Sequence, residues 1–337
     1  MAPSSDRAMV RSCTWPLKRR SEEQERCPTE NPTPPLFEIR TIPGRGRGLF
    51  PLVNLTKGTL ILAETPFFTL LNIDIFNPTE SSLLQKVSVL TSKQERQFRS
   101  LHNNYAGEEP TLVSIARTNV LDITPEIDAI YPTFSLLNHS CVPNAHYSWN
   151  KNIQKGTLHA IGDIKAGEEI TISYGDHPRG HGDFKCSCTL CTSLPPEMAH
   201  SDTQRNRLIT LRTQIMHRLT IQHENCLSDL REMKGLLQDI YRNSPGTALA
   251  WVYFTASEVA ASQSDLARAS VFAERAYEAR VVCEGVIHQL VLWCGKVGAD
   301  LRLHEGYGST DFRETSVDMV PLGLGVEEFE EWLWTWE

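Results

Sequence analysis

The chain has 337 residues, 40% of them apolar, and its 33 basic and 41 acidic side chains leave a net charge of -8. That length allows two domains and a sizeable core, while the acidic balance argues against a general nucleic-acid or anionic-membrane surface and favours a basic peptide as partner. No apolar run approaches the length of a spanning helix and the opening MAPSSDRAMVRSC lacks the apolar middle of a secretion signal, so a soluble protein of the nucleus or cytoplasm is expected.

Residues 1–35 are rich in Pro, Ser and charge and supply no packed face, so they are expected to be disordered. Their KRR cluster, Lys18 to Arg20, reads as a solvated basic run, with a nuclear address as the alternative. From Leu36 the pattern turns to short strands: FEIRTI, then GRGRGLF, then TLILAETPFF. Gly44, Gly46 and Gly48 allow backbone conformations that other residues resist, and taken alone GRGRG is a turn signal. Phe76 to about Ile115 reads as helical, with TSKQERQFRSLHNN opening on a cap at Thr91 or Ser92 followed by Glu95. IARTNVLDI, carrying Asn119, then returns the chain to the core.

The stretch FSLLNHSCVPNAHYSW, Phe134 to Trp149, organises the rest. Asn138, His139, Cys141, Pro143 and Asn144 crowd between apolar flanks, where polar groups need partners or a ligand, and Pro143 prevents a long regular helix. KNIQKGTLHAIGDIKAGEEITISYG alternates as two or three strands around turns expected at Lys155-Gly156 and Ala166-Gly167. Beyond Thr192 the pattern is helical: 201–222, 226–243, 248–262 and 265–295, with breaks at 243–246 and 262–264. The pair from Thr247 to Ala279, with Trp251, Ala256, Ala269 and Ala276, has helix-hairpin spacing; a degenerate tetratricopeptide-like unit and an ordinary bundle both fit. VEEFEEWLWTWE at the carboxyl end is acidic and aromatic, and is expected to dock on the helices, with a partner as the alternative.

Nine cysteines are an odd number, and Cys186, Cys188 and Cys191 fall within six residues, where disulfide pairing is awkward. A metal site in a reducing compartment fits better, and zinc closes a structural site with four ligands. Cys13, Cys27, Cys226, Cys283 and Cys294 are scattered and read as ordinary thiols.

NHSCVPN, GEEITISYG and CxCxxC, in that order and preceded by EIRTIPGRGRGLF, resemble the core of a SET domain, the fold of protein lysine methyltransferases. The resemblance implies an α+β fold: short β-sheets with a helical insertion (about 76–115) and a pseudoknot over 36–176, a zinc-binding post-SET tail over 177–195 and an all-α domain over 196–337. It implies S-adenosyl-L-methionine as methyl donor, with Arg45, Gly46, Arg47 and Asn119 at its amino-acid end, Asn138 and His139 at its adenosine end and Phe184 stacked on adenine. Tyr174 would be catalytic, beside the transferring methyl and the target nitrogen. Cys141 would join Cys186, Cys188 and Cys191 around one structural Zn2+. The implied partner is a protein or peptide presenting a lysine, histone or non-histone, bound by a monomer, with no nucleic acid or membrane involved.

Within the SMYD branch of that family a zinc-binding MYND module occupies the insertion region; the insertion of this chain has no cysteine, so that module is not expected. GDHPRGHGDFK separates Tyr174 from Cys186 where SMYD-like proteins have a longer helical link, and Gly182 stands where they often carry a tyrosine. Two functions follow as alternatives: an active lysine methyltransferase, or a catalytically inactive SET module serving as an interaction scaffold.

Overall fold

Alternating apolar residues and glycine turns in the first half of the chain build four small sheets. The computed structural model describes residues 31, 33–71, 79–105, 111–175, 186–221, 226–242, 244–310 and 313–336. The segment 1–30, with its KRR cluster and two cysteines, and the positions Gly182 and Phe184 lie outside the described residues. Asn31 accepts the Ala63 N–H at 2.6 Å, tying the start of the described chain to a core strand.

β1 (Phe37–Ile42) and β2 (Gly46–Pro51) form an antiparallel hairpin, Ile42 opposite Gly46. Gly44 and Gly46 both have φ of 72°, a left-handed conformation in which glycine avoids the Cβ penalty. β3 (Leu60–Glu64), β8 (Ala145–Asn150) and β9 (Lys155–Ala160) form an antiparallel sheet in the order β3-β9-β8. β4 (Phe68–Leu71), β5 (Val120–Thr124) and β6 (Ile127–Ile130) form another, in the order β4-β6-β5. β7 (Asn138–His139) and β10 (Thr171–Ile172) pair in parallel, and Ile170, just before β10, bridges Leu49 of β2.

Lys155-Gly156 is not a turn: both residues lie inside β9. The turn falls just before it, where Gln154 takes φ of 54°. Gly156 is there for packing, since a Cβ would stand 2.6 Å from Phe134 Cε2 and 2.9 Å from Tyr147 Cε2. The Tyr131, Phe134 and Tyr147 rings meet edge-on or tilted at 5.0–5.7 Å over this gap. The other expected turn holds, with Gly167 at φ 77°.

Between β4 and β5 run α1 (Glu80–Ser88), α2 (Ser92–Arg99) and α3 (Leu112–Asn119). Thr91 is the N-cap of α2, and its capping-box partner is Gln94 rather than Glu95. Leu83, Val87, Phe98, Leu112 and Ile115 point from these helices into the same core as Leu49, Ile130, Phe134 and Ile170.

A second core belongs to the helical half: α4 (Pro195–Ile221), α5 (Leu227–Tyr241), α6 (Gly246–Ser262), α7 (Leu266–Glu284), α8 (Gln289–Ala299) and α9 (Val326–Trp334). Ala256, Ala269 and Ala276 are fully buried, so α6 and α7 lie close as a helical hairpin. The stretch 265–295 is two helices, because Gly285 (φ 76°) ends α7 and a Cβ there would reach 2.9 Å from His159 Nε2. The carboxyl end docks as expected: Trp334 is buried against Phe272 at 4.7 Å, and Trp336 donates to the buried Asp265 carboxylate at 3.2 Å. The two halves meet where α7 and the segment after it cover β8 and β9. There Gln289 Nε2 donates to the Trp149 carbonyl at 2.8 Å and Asn152 Nδ2 to the Ile287 carbonyl at 2.6 Å.

Candidate active site and cysteine cluster

The short parallel pair β7–β10 brings the NHSC stretch and the EEITISYG stretch side by side, Asn138 opposite Thr171 and His139 opposite Ile172. Asn144 holds the second segment in place. Its Nδ2 donates to the Glu169 carbonyl at 2.9 Å, and its Oδ1 accepts the Thr171 N–H at 2.9 Å. This side chain therefore substitutes for missing strand partners where the ladder is only two residues long.

Two of the expected residues, Asn138 and Arg45, converge on a carboxylate that the sequence did not single out, Glu169. Glu169 Oε1 accepts from Asn138 Nδ2 at 2.7 Å, and its Oε2 lies 2.9 Å from Arg45 Nη1. Asn138 Nδ2 also donates to the Arg47 carbonyl at 3.0 Å, which fixes the amide's orientation. Gly48 makes this approach possible, because a Cβ would stand 2.9 Å from Glu169 Oε1 and 3.2 Å from Asn138 Nδ2. Gly46 supplies the tight turn that sets Arg45 and Arg47 on either side of it. The Arg47 guanidinium turns away toward the helical insertion, donating to the Ser100 carbonyl at 2.6 Å.

Asn119, at the end of α3, is buried and commits its Nδ2 to the His102 and Ile115 carbonyls at 2.7 and 2.8 Å. That amide braces the insertion against its own loop. The signal for Glu169 was present as a doubled acid in GEEIT. One carboxylate, Glu168, caps the Lys165 turn at 3.2 Å, and the other turns inward.

Tyr174, two residues beyond β10, is the link to the interior. Its hydroxyl donates to the Leu137 carbonyl at 2.6 Å, and its ring lies 5.3 Å from the His139 ring. Burial, reinforced by the negative charge of Glu169, pushes the phenol up to about 12, so it stays a neutral donor at ordinary pH. Tyr131 and Tyr147 share a hydrogen bond at 2.9 Å, and burial pushes both phenols well above the usual range.

Cys141, Cys186, Cys188 and Cys191 place their four sulfurs within 4.8 Å of one another. Cys141 Sγ stands 3.9 Å from Cys186 Sγ and 3.5 Å from Cys191 Sγ. Thiolates about 2.3 Å from a central zinc in tetrahedral array are about 3.8 Å apart, so the group is of the size that could hold such an ion. Sulfurs this close cannot all ionise unless a cation sits among them. The hydrogen bond between Cys141 and Cys188 holds the Cys188 thiol down, and the same bond, with burial, pushes the Cys141 thiol up. His139 adds a donor, with Nε2 at 3.4 Å from Cys141 Sγ, and Arg205 of α4 donates to the Cys141 carbonyl at 2.8 Å. Cys226, Cys283 and Cys294 are buried free thiols apart from this group. Among the described residues no helix is long and apolar enough to cross a membrane.

Residues 46–175 match the family model described as the SET domain. The histone-lysine N-methyltransferase set5 of Schizosaccharomyces pombe is 25% identical over 296 residues, which covers 80% of this chain and 85% of that protein. The human N-lysine methyltransferase SMYD2 is 30% identical over 128 residues, covering 32% of this chain and 28% of that protein. The histone-lysine N-methyltransferase ATXR4 of Arabidopsis thaliana is 33% identical over 92 residues, 24% of this chain and 28% of its own length. The chain thus spans most of the fission-yeast protein and under a third of the other two. That SET-domain match encloses Gly46, Asn138, Glu169 and Tyr174, and the chain is similar over most of its length to one protein named as a lysine methyltransferase and over part of it to two others.

Proposed function

We propose that the protein is an S-adenosyl-L-methionine-dependent protein-lysine N-methyltransferase acting on a histone or non-histone protein. The observation that carries the reading is the Tyr174 hydroxyl, half-buried, neutral and bonded to the Leu137 carbonyl one residue before Asn138. Its proton is committed to that carbonyl, so the oxygen keeps lone pairs with which to accept from a lysine amine and orient it. A half-buried, aromatic setting disfavours the ammonium form of that lysine, whose reference pKa is about 10.4, and favours the neutral nucleophile.

The methyl donor, when bound, would supply an electrophilic sulfonium methyl that passes to the amine as its S–C bond breaks. Arg45, Gly46, the Arg47 main chain, Asn138 and His139 would hold it, with Asn119 and Phe184 as further contacts. The fit is supported by a polar cluster packed closely over Gly48, in which Arg45 and Glu169, paired at 2.9 Å, carry the opposite charges that a zwitterionic amino-acid group would need. Cys141, Cys186, Cys188 and Cys191 would hold one structural Zn2+ in a post-SET segment over 177–195, between a SET domain over 36–176 and a helical domain over 196–337. The parallel pairing of β10 with β7, while Ile170 bridges β2, supports the threaded, pseudoknot arrangement.

Tritiated-methyl transfer to histones and to arrayed cell-extract proteins tests the proposal, with Tyr174→Phe as control. Label above that of the variant is expected. If wild type and variant are equal while S-adenosylhomocysteine still binds by calorimetry, the inactive-scaffold function stands instead.

A further inference from the structure

One imidazole touches both the cysteine cluster and the backbone of Tyr174. His139 Nδ1 accepts the Tyr174 N–H at 3.1 Å, so the neutral ring carries its proton on Nε2, which lies 3.4 Å from Cys141 Sγ. His139 is 4% exposed, and at such depth a broken hydrogen bond is not replaced by water. The strands on either side are locked in register, since Ile172 lies opposite His139 and its carbonyl accepts the Ser140 N–H at 3.0 Å. Arg205 holds the Cys141 main chain from the helical half at 2.8 Å, so a displacement of the sulfur is taken up by the ring rather than by the backbone.

We propose that His139 is a positioning residue that couples cation binding at the four cysteines to the order of the Tyr174 segment, and through it to binding of the methyl donor. The last step rests on the methyltransferase reading. A sulfur bound to a cation is a fixed, charged acceptor for Nε2–H; the ring so held fixes the orientation of Nδ1, and Nδ1 holds the Tyr174 amide. Coupling between binding sites is reciprocal, so the donor also tightens the cation.

The experiment uses the full-length chain, first stripped by chelator and then given one equivalent of Zn2+, with hydrogen exchange read at the Tyr174 amide. Zinc is expected to slow that exchange about ten-fold in wild type, within the usual range of site-to-site coupling. His139→Gln, which can both accept and donate, should keep most of the slowing. His139→Phe should bind zinc about ten- to a hundred-fold more weakly and, at saturating zinc, show no slowing. Equal slowing in His139→Phe overturns the coupling, and so does its absence in zinc-bound wild type, a comparison that needs no variant to fold. Calorimetry with S-adenosylhomocysteine separates the two readings. Exchange coupling without any binding of that ligand defeats the methyltransferase reading alone; ligand binding indifferent to zinc defeats the coupling alone.

Discussion

Asn138 and Glu169 stand 31 residues apart in sequence and 2.7 Å apart in space, and the carboxylate that Asn138 meets is the one that also pairs with Arg45. A shared acceptor of this kind keeps both donors aimed into the cradle. Glu169→Ala leaves a half-buried amide and a guanidinium without it, at an expected cost of about 1–3 kcal/mol. Glu169→Gln keeps an acceptor for Asn138 and should cost less. Denaturant melts measure the stability difference, and calorimetry with S-adenosylhomocysteine should show the alanine variant binding about ten-fold more weakly or worse, in line with a lost charge-assisted bond.

Tyr174→Phe keeps the ring against His139 and removes only the hydroxyl. The Leu137 carbonyl loses its donor, for about 1 kcal/mol of stability. Methyl transfer should fall about a hundred-fold or more, the scale of removing one aligned polar group from a reacting centre. A variant that keeps wild-type turnover would remove Tyr174 from the chemistry.

One zinc per chain is expected by mass spectrometry of the purified protein. Chelation in mild denaturant should lower the thermal midpoint, and Cys191→Ser should reproduce that loss, because three thiolates hold the ion less well than four. A chelated protein with an unchanged midpoint would show that the cluster adds nothing to stability.

Gly156→Ala forces a methyl group against Phe134 and Tyr147 in a strand with no room to bend. A loss of about 1–3 kcal/mol is expected, the cost of overpacking a closed core. Gly235→Ala, in an open position of α5, serves as the control and should be neutral or mildly stabilising.

Asp122 and Asp128 face each other across β5 and β6. Burial, with the neighbouring Asp122 charge second, pushes Asp128 up to about 6. A carboxyl raised in the folded state binds more protons folded than unfolded, so its contribution is full below the ordinary aspartate range and is lost as pH rises through about 6. Asp122→Asn removes the repulsion. It should raise the thermal midpoint at pH 7.5 and leave it nearly unchanged at pH 4; a gain that is equal at both would assign the effect to something other than charge.

Local chemistry was legible from the chain itself. Thr91 capped its helix because a hydroxyl before a helical run satisfies free N–H groups wherever it stands, and CSCTLC declared a sulfur site because three thiols in six residues have few other uses. What depended on distant partners was not legible. Glu169 read as one more solvated acid until the fold set Asn138 and Arg45 beside it, and Gly156 read as a turn until Phe134 and Tyr147 closed over it. Gly285 likewise became a helix end where α7 meets His159 from the other half. Periodicity and capping are set by neighbours within a few residues, so sequence alone determined most strands, most helices and the Cys186, Cys188 and Cys191 triplet, whereas Cys141 joined that triplet only through the family resemblance. Which carboxylate turns inward and which glycine must lack a Cβ depend on contacts between segments far apart in the chain, and only the tertiary structure decides those.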